Sequence, residues 1–201
     1  MPELVVVSSA VEGDVDEAVV RKLIILAGAE PGPTFGKTGK AAMREKISGY
    51  NRAARHAPWF VLVDLDREAA CPVPLLLTWL PKPATRMCFR VAVRQVEAWL
   101  LADAQEIAGF LGVARAAIPA DPESLEDAKG VMVSLARRSR RRDIRTDMVP
   151  RTGSGRPVGP AYSSRLLEYV EGHWRPASAA ARSDSLRRAM QCLERLVAAS
   201  R

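Results

Sequence analysis

The chain alternates short apolar runs with stretches of helical spacing. Leu4-Val5-Val6-Val7 leads through Ser8-Ser9-Ala10-Val11 into Glu12-Gly13, and Trp59-Phe60-Val61-Leu62-Val63 leads into Asp64-Leu65-Asp66. Short β-rich runs of this kind read as strands buried on both faces, as in a parallel sheet. Between them, Val15, Val19, Leu23 and Leu26 recur at helical spacing. Asp14-Val15-Asp16-Glu17 opens that stretch with capping-box spacing, and Gly28 suits its C-terminal cap. Glu30 to Gly39 reads as a turn-rich loop holding Pro31, Gly32, Pro33, Gly36 and Gly39. A helix is predicted from Lys40 to about His56, stopped by Pro58.

Beyond Asp66, four prolines bracket Leu75–Leu80, an apolar piece of open type. Cys88 to Val96 alternates as a strand. Glu97 to Asp103 turns helical, and Asp103-Ala104-Gln105-Glu106 opens a helix to Gly112. Residues 123–142 read as a helix ending in an arginine run, and residues 150–160 as a Gly/Pro loop. Tyr162–Glu171 and Ser183–Ala199 read as two further helices, the last with Leu186, Met190, Leu193 and Val197 on one face. The pattern predicts one α/β domain, a mainly parallel sheet flanked by helices. Its core spans about residues 1–115, and a helical, basic C-terminal extension spans about residues 116–201.

Composition adds a charge bias. The 201 residues carry a formal net charge of +7, enough chain for one sizeable core and a balance that favours a polyanionic partner. The excess is uneven: residues 1–100 hold 13 Lys and Arg against 11 Asp and Glu, residues 101–201 hold 17 against 12. Cys71, Cys88 and Cys192 form neither a CxxC pair nor a zinc pattern; an odd count without a leader points to a reducing compartment. No apolar run approaches the roughly 20 residues of a membrane span, so a soluble cytoplasmic protein is expected.

The chemistry lies in the acids that end the apolar runs. Open α/β sheets bind ligands outside the carboxyl ends of their strands, so Glu12, Asp64 and Asp66 are expected to converge there. Clustered carboxylates raise one another's pKa unless a cation neutralises them, and a hard divalent ion, Mg²⁺ or Mn²⁺, suits oxygen donors. In an extended Asp-x-Asp, both carboxylates point to one side and can hold one or two metals; the bland alternative is a solvated turn. Glu97, at a further strand end, is a fourth candidate ligand. Asp103 lies six positions on, about 240° around a helix, which suits capping better than ligation. Gly36-Lys37-Thr38-Gly39-Lys40 fails the P-loop spacing by one residue. It reads instead as a basic loop in which Lys37 or Lys40 offsets transition-state charge. Arg137, Arg138, Arg140, Arg141, Arg142 and Arg145 form a patch for phosphates, for an acidic partner, or simply a solvated helix end. His56 and His173 are isolated, and the four tryptophans read as core.

Together, Val11-Glu12-Gly13 and Val63-Asp64-Leu65-Asp66 resemble the Toprim (topoisomerase–primase) domain, in which a strand ending in Glu-Gly precedes a strand ending in Asp-x-Asp. Val93-Arg94-Gln95-Val96-Glu97, continuing through Ala98-Trp99-Leu100-Leu101-Ala102-Asp103, looks like a segment of a family of small Toprim-like proteins. Gly159–Arg165 and Ser183–Arg188 are similar to tail segments of the same family. The resemblance implies a Mg²⁺-dependent phosphoryl-transfer site, with Asp64 and Asp66 as metal ligands and Glu12 as ligand or acid/base. It also implies kinship with nucleases of phage defence, where an ATPase partner is frequent. The expected function is therefore a metal-dependent nuclease or nuclease subunit acting on DNA or RNA, possible as a homodimer. The alternative is a non-catalytic nucleic-acid-binding or partner-docking module on the same fold.

Overall fold

The computed structural model describes residues 4–201. Four parallel strands form one sheet: β1 (Val6–Val11), β2 (Glu30–Gly36), β3 (Trp59–Asp64) and β4 (Met87–Ala92), in the order β2-β1-β3-β4. Helix α1 (Asp14–Leu26) leads from β1 to β2 on one side; α2 (Lys40–Ala53) and α3 (Pro72–Trp79) lead to β3 and β4 on the other. Right-handed crossovers running in opposite directions place their helices on opposite faces. The two apolar clusters follow that division. Val7, Val11, Phe60 and Leu62 pack with α1, while Ala10, Val61 and Val63 pack with α2 and α3 through Met43, Ile47 and Leu75. Chain direction therefore reverses between β1 and β3, the position at which open sheets leave a ligand crevice.

The expected loop over Glu30–Gly39 is instead mostly strand. β2 is an edge strand, where proline loses no ladder bond that a neighbour needs. Its register against β1 slips between Val7 and Ser9, so Gly32 and Pro33 sit in a bulge. Two glycines allow the close approach. A Cβ on Gly36, which has φ +90°, would lie 2.3 Å from the Val11 carbonyl oxygen.

The C-terminal region covers the α1 face of the sheet and belongs to its core. After α4 (Val96–Ala102) and α5 (Ala104–Leu111) come α6 (Ala128–Arg137), α7 (Arg142–Met148), α8 (Tyr162–Gly172), α9 (Pro176–Ala180) and α10 (Asp184–Ala198). The single helix expected over residues 123–142 is shorter and breaks before α7. α8 packs on α1 and α10 on β4, and one apolar cluster runs from Val5 to Val197. All four tryptophans are buried. Trp99 Nε1 donates to Ser185 Oγ at 2.7 Å, and Trp174 Nε1 to the Trp99 carbonyl at 3.3 Å. Cys88 and Cys192 are joined as a disulfide between β4 and α10, a pairing their spacing did not suggest; Cys71 is free and exposed. Among the described residues, no helix is long and apolar enough to cross a membrane.

Gly36→Ala is expected to lower the unfolding free energy by about 3 kcal/mol, because strained φ and backbone overlap act together. Gly49→Ala, inside α2 with open space around the new methyl, should raise it by about 0.5–1 kcal/mol. Urea denaturation of the two variants beside the wild type checks both signs.

Candidate functional site

The ends of β1 and β3 are adjacent, and a backbone bond fixes the first pair of acids. The Asp64 N–H donates to Glu12 Oε1 at 2.8 Å. Asp64 Oδ1 in turn accepts the Val96 N–H at 2.9 Å, from the first residue of α4. Each carboxylate is thus oriented by the backbone of the neighbouring strand end or helix start. The same bond brings the β4–α4 turn over the site and carries Glu97 in with it.

A pocket of about 240 Å³ opens here, walled by Asp16, Asp64, Glu97, Lys129 and Tyr162 under the Pro157–Val158 stretch of the loop before α8. Glu97 is 3% exposed. Its Oε1 accepts the Tyr162 hydroxyl at 3.2 Å and lies 3.6 Å from Lys129 Nζ, while its Oε2 is buried without a hydrogen-bond partner. A buried, unpaired carboxylate oxygen is costly unless some group meets it.

Asp16, Lys129 and Tyr162 went unrecognised as site residues in the sequence. Asp16 had a signal: it stands four positions after Glu12, where the first turn of a helix started at the strand end brings it back over that end. Lys129 and Tyr162 had none, since α6 and α8 reach the pocket only through the tertiary fold.

Electrostatics follow from the crowding. Burial, then the charges of Glu97 and Glu12, push the Asp16 carboxyl up to about 7, although the Gly13 N–H partly offsets them. Burial, then Asp16, Glu97 and Glu12, raise Asp64 well above the usual carboxylate range. Burial raises Glu12 as well, against the Asp64 N–H and Lys40. Burial alone would lower Lys129, but Glu97, Asp64 and Asp16 outweigh it and raise the ammonium. Lys129 therefore faces three of these acids, and Lys40 stands near the fourth, Glu12.

Other expected site residues lie elsewhere. The same-side premise for Asp64 and Asp66 fails because the strand ends at Asp64 and Asp66 turns left-handed at φ +50°. Asp66 pairs with Lys40 at 3.0 Å, and Lys40 also meets Glu68 at 3.1 Å, so Lys40 is engaged beside the pocket. Lys37 pairs with Glu17 at 2.8 Å on the surface. Asp103 stands at the N-cap position of α5, as expected, but its side chain makes no capping bond. It is 2% exposed, and its carboxylate accepts the Arg175 backbone N–H and clasps the Arg175 guanidinium at 2.7 and 3.0 Å. Within the arginine run, Arg141 pairs with Asp143 at 2.6 Å, and Arg145 donates to the Ser139 carbonyl. Arg137, Arg138, Arg140 and Arg142 are exposed.

As they stand, no three His, Cys, Asp or Glu side chains among the described residues are grouped closely enough to hold a metal ion. The chemistry of the donors nonetheless fits a hard divalent cation: all are carboxylate oxygens, they are under-neutralised, and one is orphaned. No protein-family model, curated protein or solved structure matches the chain.

A carboxyl raised in the folded state keeps its proton there at pH values where the unfolded chain has lost it. Its contribution to stability is complete below about pH 4 and disappears as pH rises through about 7. Metal-free Asp16→Asn should therefore gain about 1–2 kcal/mol over wild type at pH 8 and almost nothing at pH 4. Urea unfolding across that range reads the difference, and parallel curves would contradict the crowding.

Proposed function

We propose that the protein is a Toprim-like, Mg²⁺- or Mn²⁺-dependent phosphodiesterase acting on DNA or RNA. The observation that carries this reading is the convergence of Glu12, Asp16, Asp64 and Glu97 at the β1–β3 crossing, with Glu97 Oε2 buried and unpaired. A phosphate alone would be repelled by these acids; with a bound cation it is attracted.

Asp64, held by the Val96 N–H, Glu97, held by the Tyr162 hydroxyl, and Asp16 of α1 line the pocket, and these three would hold the cation. A divalent cation bound there supplies Lewis acidity toward the phosphate and lowers the pKa of a bound water. Glu12, oriented by the Asp64 N–H and raised by burial, stands beside this set and would act as the general base for an attacking water. Lys129 offers positive charge to the phosphate oxygens from the pocket wall. Asp66 serves at a distance, through Lys40, as a neighbour that tunes Glu12 and Asp64.

A second reading has its own support: the carboxylates do not group as three without an ion, and a partner-docking module on this fold would need none. The two are separated by incubating plasmid DNA, single-stranded DNA and RNA with the protein and Mg²⁺ or Mn²⁺. Asp64→Ala is expected to reduce cleavage at least 100-fold. Equal cleavage by wild type and variant, or none on any of these substrates, would overturn the catalytic assignment.

A further inference from the structure

We infer that a nucleic-acid strand lies along α6, its reacting phosphate at the pocket and its phosphates about two or more nucleotides away on Arg137, Arg138, Arg140 and Arg142. The inference rests on the phosphodiester reading and adds a path and a minimum substrate length.

α6 connects two features that otherwise look unrelated. Lys129, at its start, lines the acidic pocket; Arg137, at its end, begins the arginine run. Eight residues of helix separate them by about 12 Å. Successive phosphates of one strand lie about 6–7 Å apart, although they rise only about 3.4 Å along a duplex axis, so this distance spans about two phosphates.

The face between them is polar and carries few side chains. Met132, Val133, Leu135 and Ala136 turn into the core. Gly130, Ser134, Arg137 and Arg138 fall on the opposite side at helical spacing. Gly130 has no side chain, and the Ser134 hydroxyl is folded back onto the Gly130 carbonyl at 2.9 Å. The Asp127 carboxylate, which caps α6 by accepting the Gly130 N–H at 2.8 Å, lies on this route, and Lys129 stands around the helix from it toward the core side, so the strand turns over the first turn of α6 to enter the pocket.

The arginine run divides into two kinds. Arg141 is structural: it pairs with Asp143, donates to the Phe110 carbonyl at 3.1 Å and lies 5.9 Å from the Phe110 ring centroid. Arg145 is held on the Ser139 carbonyl. Arg137, Arg138, Arg140 and Arg142 are exposed, and none makes an ion pair among the described residues. Four unpaired guanidiniums, one helix length from a pocket that needs a cation before it accepts a phosphate, match a polyanion threaded across both. Charge complementarity to an acidic protein would not require the pocket.

The test measures anisotropy of a fluorescein-labelled single strand of about 20 nucleotides in EDTA, with Asp64→Ala as the parent protein. Changing Arg137, Arg138, Arg140 and Arg142 together to Gln should weaken binding more than 10-fold near 0.1 M salt. The slope of log K against log salt should fall by about 3. A labelled dinucleotide, too short to reach the arginines, should be cleaved in Mg²⁺ equally by the Asp64-bearing protein with and without the fourfold change. The paired variants R137Q/R138Q and R140Q/R142Q, each checked by thermal melting, keep the test valid if the fourfold change unfolds the chain. Unchanged affinity and slope, no binding of the 20-nucleotide strand by the parent, or equally tight binding of poly-L-glutamate would overturn the inference. Binding as expected without cleavage in Mg²⁺ by the Asp64-bearing protein would overturn the phosphodiester reading alone. Wild-type KM for cleavage in the fourfold variant would overturn the path alone.

Discussion

Repulsion among four carboxylates at the crossing of β1 and β3 is the constraint to which the surrounding structure responds. Glu12 and Asp64 are forced together because parallel β1 and β3 are neighbours and end at the same edge of the sheet. Asp16 returns to that edge on the first turn of α1, and Glu97 is carried in on the first turn of α4. Hydrophobic burial of α1 and α4 holds the acids in place against their mutual charge. The site therefore draws on stability generated elsewhere, which is common for groups whose electrostatics are shaped for a ligand.

The C-terminal helices make that arrangement rigid. Ser185, in the first turn of α10, accepts Trp99 Nε1, donates to Glu123 Oε1 at 2.6 Å and receives the Val93 N–H at 3.3 Å. It thereby clamps the turn between β4 and α4 from which Val96 reaches Asp64 and Glu97 enters the pocket. Lys129 and Tyr162 close the remaining walls from α6 and α8. The region that reads as an extension in the sequence is thus one wall of the site and one cover of the sheet.

How much of this was legible follows from the range of the interactions involved. Three of the four strands, and the convergence of Glu12 with Asp64, could be read from apolar runs ending in acids, because that pattern depends on local sequence and one topological rule. The edge strand β2 could not: its glycines and prolines carry turn signals locally, and only the bulge and the backbone of β1 make them strand residues. Asp66 was misplaced because a left-handed turn at a non-glycine residue leaves little trace in sequence. Asp103 holds the N-cap position of α5 that its spacing indicated, but its carboxylate goes to a long-range partner, Arg175, that no local signal shows. The Cys88–Cys192 bond spans 104 residues and has no local signal.

If carboxylate repulsion is the governing constraint, a divalent cation is expected to bind where the acids meet and relieve it. Titrating Mn²⁺ into the protein at pH 8, read by the loss of the free-ion electron paramagnetic resonance signal, tests this most directly. The account expects saturable binding, lost in Asp64→Asn and in Glu97→Gln. It also expects unfolding free energy to rise by about 2.7 kcal/mol at one hundred times the dissociation constant. No Mn²⁺ uptake by the wild type, or uptake unchanged in both variants, would contradict it.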